Sequence, residues 1–246
     1  MTEHAAPGRP GDPDVRLLIC TPTGAPGPRP AIYYSFGGGM FSGDHRHRPN
    51  VDPLLDIAPL DDLRTGLLWT ADHAADLGID PQRIIIAGTS AGGALTAALA
   101  LTVRDQGGPR LLGQLLMSPM LDDRNDSPSM HRMEGIDIWD RTTNGFGWSA
   151  LLGSTCGAPD VSPYAAPARA TDLSGLPPTY LDTGSAESLR DEITDYATRI
   201  WAASGAAELH IWSGGFHCFD KVVPESRVSR AAVEARHAWI GRLLAG

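Results

Sequence analysis

The stretch Ile84–Leu95, IIIAGTSAGGAL, constrains the chain more than any other. Three β-branched residues favour a buried strand. An alanine-rich helical segment begins immediately after a turn of small residues, with Ser90 at the corner. Gly88-Thr89-Ser90-Ala91-Gly92 fits the pattern G-x-S-x-G. A strand that turns this sharply into a helix presents the central hydroxyl outward at the top of a sheet, and the glycines give neighbouring backbone room to approach. A tight junction with an incidental serine would need the same small residues. The strand before and helix after supply the context a nucleophile requires.

The rest of the chain alternates strands and helices. Strands are expected at Asp14–Cys20, Ala31–Phe36, the RIIIAG segment, Gly113–Met120, Thr179–Gly184 and Ala207–Trp212. Helices are expected at Asp61–Leu77, Ala91–Val103, Ser188–Ser204 and Val228–Leu244. In the first helix Leu63, Leu67, Ala71, Ala74 and Leu77 form one stripe, and Gly78 supplies a C-terminal stop. This alternation predicts an α/β fold, a mostly parallel sheet with helices on both faces. At 246 residues a single domain over 1–246 is expected, with residues 1–13 a loose tail rich in Pro and Gly. Residues 122–167, with Trp139 and Trp148 amid scattered charge, read as an irregular cap or lid.

Groups at the carboxyl ends of parallel strands converge on one crevice. Gly37-Gly38-Gly39 follows the second strand; its backbone N–H groups can face a developing oxyanion with no side chain in the way, and the Ala91 N–H at the helix start would join them. A flexible turn is the plainer reading of three glycines alone. His217, in SGGFHCF after the last strand, is placed to act as a general base. His73, His210 and His237 lie within elements and read as ordinary histidines. Asp182, Glu187 and Asp191 are the candidates for the acid that orients His217. Asp191 and Glu192 also suit the first turn of a helix on dipole grounds.

Other chemistry is disfavoured. The net charge of -9 argues against nucleic acid or an anionic membrane as partner. Cys20, Cys156 and Cys218 are odd in number and widely spaced, giving no zinc or disulfide framework and fitting a reducing compartment; Cys218 reads as packing. Asp44, His45 and His47 make a weak H-x-H pattern in a polar loop. No metal or cofactor is expected. MTEHAAPGRPGDPD has no signal-peptide core, and no run approaches the ~20 apolar residues of a membrane span, so a cytoplasmic protein is expected.

Glycine arm, serine elbow, acid and histidine occur in the order used by α/β-hydrolases. In FGGGM, LGIDPQRIIIAGTSAGGALTAALAL, LPPTYLDTGSAESLRDE and GGFHCF the chain resembles the bacterial hormone-sensitive-lipase-like esterases of that fold, from Asp14 onward. The resemblance implies cofactor-independent hydrolysis of carboxylic esters, often with short acyl chains; a small-molecule ester is the expected partner, and a monomer or homodimer the expected state. Ser90 would be the nucleophile, His217 the base and Glu187 the acid, with Gly38, Gly39 and Ala91 forming the oxyanion hole. Phe36 stands where the family has a histidine before its glycines, which implies an arm lacking that anchor. HRHRPNVDPLLDIAPLDD is too short and polar for the strand and helix the family carries there, which implies a sheet short of one strand. The same resemblance allows two other readings, a small-molecule binding protein and a dehydratase or lyase.

Overall fold

The computed structural model describes residues 1–24, 26–42 and 59–246. Among the described residues the main sheet has five parallel strands in the order β3-β4-β5-β6-β7: β3 Arg29–Ser35, β4 Ile79–Thr89, β5 Leu111–Met117, β6 Thr179–Gly184 and β7 Ala207–Trp212. Strand alternation sends the side chains of Ile84 and Ile86 to one face and those of Ile85 and Ala87 to the other. On the first face, Ile84 and Ile86 pack with Leu67 of α1 (Pro59–Asp72), Leu99 and Leu101 of α2 (Ala91–Gln106), and Ile193 and Ile200 of α5 (Arg190–Ala202). On the second, Ile85, Ala87, Leu115 and Tyr180 meet Trp239 of α7 (Arg227–Ala245). Burial on both faces explains why β4 reads as a continuous apolar run. The expected α/β class holds.

Two expectations need correction. Residues 1–13 are not a loose tail: β1 (Thr2–Ala6) pairs antiparallel with β2 (Val15–Ile19). Ala6 is buried, and the His4 ring lies 5.4 Å from that of Trp69 on α1. The Pro and Gly residues mark the hairpin turn, not the strand before it. Nor is the cap segment irregular, since it contains α3 (Pro128–Arg132) and α4 (Arg141–Leu152). Ser127 caps α3, with Pro128 in its first turn, and Asp140 caps α4 by accepting from the Thr143 N–H at 2.9 Å. Two glycines and two threonines make α4 a poor helix by propensity. Packing of the fully buried Trp148 holds it against the core. Asp44, His45 and His47, and most of the segment expected to lack a strand, lie outside the described residues.

Candidate active site

Ser90 adopts φ 58° and ψ −123°, a left-handed conformation unfavourable for a side chain. The turn is held by its surroundings. Ser90 N–H donates to the Met117 carbonyl at 2.9 Å, and the Ser90 carbonyl accepts from Ala94 and Met120 N–H at 3.1 Å. A Cβ on Gly88 would strike the Gly92 carbonyl, and one on Gly92 would strike the carbonyls of Ser35 and Phe36. These two glycines therefore let β4, α2 and the end of β3 converge.

His217 lies in the turn after β7, and its Nε2 is 3.0 Å from Ser90 Oγ. Its Nδ1 is 2.7 Å from Glu187 Oε1. Glu187 is completely buried, and Oε2 accepts from Ser118 Oγ at 3.0 Å, Thr183 Oγ1 at 2.8 Å and the Gly184 N–H at 2.8 Å. Burial pushes this carboxyl up, but the bonds from His217, Gly184 and Thr183 outweigh it and hold Glu187 below its ordinary value. Burial pulls the imidazole of His217 down, and Cys218 and Glu187 more than offset this, so the net shift is upward. Of the three candidate acids, Glu187 alone reaches His217. Asp182 pairs with Arg236 of α7, and Asp191 accepts from the Ser129 N–H at 2.7 Å, tying α5 to the cap. Glu192, in the same helical turn, is buried and accepts from the Leu121 N–H at 2.7 Å. His73 and His210 are engaged locally, with the Trp69 carbonyl and Glu208.

The glycine arm lies against the elbow, because a Cβ on Gly37 would meet the Thr89 carbonyl. The Gly38 carbonyl accepts from Phe41 N–H, Ser42 N–H and Ser42 Oγ. In a planar trans peptide this turns the Gly39 N–H to the opposite side. Gly38 (φ 148°) and Gly39 (φ 64°) both use backbone that strongly favours glycine. Trp139 packs against Gly39 so closely that a Cβ there would enter its ring. The arm thus has an anchor, from the segment between α3 and α4, that the sequence does not reveal. Ala91 begins α2, where its N–H has no acceptor one turn back within the helix.

Ser118 and Thr183 touch Glu187, Trp139 touches Gly39, and Arg236 lies beside this arrangement, none of them marked by a local sequence signal. Arg236 Nε and Nη2 donate to the Asp182 carboxylate at 2.7 and 3.1 Å, and Nη1 pairs with Asp220 of α6 (Phe219–Val222), just beyond His217. All three side chains are largely buried. Arg236→Leu leaves two carboxylates without their cation and is expected to cost about 3–5 kcal/mol. A denaturant titration should show this as a lowered midpoint.

A family profile described as the alpha/beta hydrolase fold matches residues 57–221. The chain is 34% identical over 203 residues to Carboxylesterase NlhH of Mycobacterium tuberculosis, covering 72% of this chain and 62% of that protein, so it spans under two thirds of that relative. It is 30% identical over 245 residues to Esterase LipI of the same species, covering 83% of this chain and 75% of LipI. Among solved structures it is similar to one titled Bacterial Heroin Esterase, with 37% identity and a TM-score of 0.91 over 99% of this chain and 84% of that one. Esterase LipW from Mycobacterium marinum has 29% identity and a TM-score of 0.86, over 99% and 81%.

Proposed function

We propose that this chain, which belongs to the hormone-sensitive-lipase-like branch of the α/β-hydrolase family, is a serine carboxylesterase acting on short-chain esters. The observation that carries this reading is the line Ser90 Oγ–His217 Nε2–His217 Nδ1–Glu187 Oε1, at 3.0 and 2.7 Å. His217 takes the Ser90 proton as Oγ attacks the ester carbonyl, and Glu187 fixes the tautomer and stabilises the imidazolium. The N–H groups of Gly38, Gly39 and Ala91 bind the tetrahedral oxyanion. His217 returns the proton to the departing alcohol, leaving an acyl-enzyme on Ser90. Water activated by His217 then releases the acid. No cofactor takes part in this scheme. The names of the similar proteins, carboxylesterase and esterase, support the same reaction class.

Aryl and alkyl esters of increasing acyl length, with products identified, test the proposal. Release of acid and alcohol, fastest for short acyl groups, is expected. Binding without turnover would favour a binding protein, and an unsaturated product would favour elimination.

The pH profile follows from the same geometry. Only neutral His217 can accept the Ser90 proton, so kcat/KM falls as pH drops through the pKa of that imidazole. Because that pKa is raised, the midpoint of the acid limb is expected above the ordinary imidazole value of 6.5. A midpoint at or below this value would mean that the imidazolium is not stabilised in solution.

A further inference from the structure

The cap approaches the two catalytic turns through a short strap between α3 and α4. Asp137 and Trp139 are partly buried, whereas Ile136 and Ile138 between and beside them are 72% and 59% exposed. Asp137 therefore faces inward from a segment whose alternate side chains point to solvent. One oxygen of its carboxylate, Oδ1, accepts from the His217 backbone N–H at 3.3 Å. The other, Oδ2, accepts from the Ser188 backbone N–H at 3.0 Å. A single cap carboxylate thus bridges the turn carrying the base and the residue next to Glu187.

The strap is a firm support for such a bridge. Asp137 N–H donates to the Met133 carbonyl at 3.2 Å, and Gly135 N–H donates to Asp140 Oδ2 at 3.1 Å. Trp139 Nε1 donates to Asn144 Oδ1 at 2.9 Å, and the buried Asn144 is held in turn by Asn125 at 2.9 Å. The Trp139 carbonyl accepts from Ser188 Oγ. The two turns are also linked directly, by the Ala186 N–H to the Gly215 carbonyl at 2.9 Å and the Gly214 N–H to Ser185 Oγ at 2.9 Å.

We propose that Asp137 is a positioning residue for the Glu187–His217 pair, setting the separation of their turns from the cap side. The inference rests on the esterase reading above. It requires two acceptors at one position, which a carboxylate has and an amide lacks. In Asp137→Asn one N–H keeps its acceptor, and the other meets an NH₂ donor. The Glu187–His217 hydrogen bond should lengthen while the substrate pocket keeps its shape.

The test compares wild type, Asp137→Asn and Asp137→Glu on one short aryl ester. Thermal melts accompany the kinetics, and the downfield N–H proton of His217 is followed by NMR. Asp137→Asn is expected to lose about tenfold in kcat with KM little changed, because small misplacements of reacting groups are costly. Its downfield resonance should shift or broaden, and Asp137→Glu should recover part of both signals. A folded Asp137→Asn with wild-type kcat and an unmoved resonance would overturn the proposal. So would a kcat loss no greater than the unfolded fraction accounts for. If wild type itself turns over no ester, the esterase reading fails, and the resonance alone decides whether Asp137 sets the pair. Should Asp137→Asn not fold, Asp137→Ala takes its place with the same two outcomes.

Discussion

Ser90→Ala is expected to lower kcat for ester hydrolysis by on the order of 10⁴ or more while leaving the fold intact. The loss is chemical. Ser90 Oγ is the atom 3.0 Å from His217 Nε2, and alanine has nothing to attack a carbonyl or form an acyl-enzyme. The fold should survive because the elbow is held by the Ser90 backbone N–H and carbonyl, which alanine retains. The strain at φ 58° belongs to any residue with a Cβ, so it is also nearly unchanged. Activity within tenfold of wild type would remove Ser90 from the mechanism.

Glu187→Gln is expected to be nearly as damaging, at about 10⁴ in kcat, although it changes one atom. Glu187 Oε2 accepts from Ser118 Oγ, Thr183 Oγ1 and Gly184 N–H, so the glutamine oxygen must occupy that position. Its NH₂ group then faces His217 Nδ1 and donates to it. Nδ1 becomes an acceptor, the ring proton moves to Nε2, and Nε2 can no longer take the Ser90 proton. The variant should therefore fold and bind but turn over slowly. Steady-state kinetics on a short aryl ester check the size of the loss. The His217 tautomer, read by nitrogen NMR, checks its cause. A loss below tenfold, or an unchanged tautomer, would show that Glu187 does not set the proton's position.

Much of this arrangement was legible in the chain because it is local. The β-branched run of β4, the small residues of the elbow and the turn after β7 each carry their own signal, and strand–helix alternation brings their ends together. Glu187 stands out by its match to a family motif and because Asp191 reads readily as a helix-start charge, whereas spacing alone leaves Asp182, Glu187 and Asp191 equally open. What distinguishes them is a long-range contact. Asp182 lies opposite Arg236, 54 residues away, and Asp191 reaches Ser129, 62 residues away. The helical character of residues 122–167 escapes a reading of the sequence because α4 has weak helix propensity and is held by Trp148 burial, which no window of sequence displays. The first strand escapes notice because the proline and glycine content of its hairpin masks the five residues before it. Trp139 as anchor of the glycine arm is equally invisible, since a tryptophan amid charge carries no periodic signal.

Covalent labelling by a fluorophosphonate, with the modified peptide identified by mass spectrometry, reveals whether Ser90 is an activated nucleophile. Such a probe reacts with a serine only where a base takes its proton and an oxyanion site receives the phosphoryl oxygen. The account predicts stoichiometric labelling confined to Ser90, slowed strongly in His217→Ala and Glu187→Gln and abolished in Ser90→Ala. Absence of labelling in folded wild type, or labelling at another serine, would contradict it.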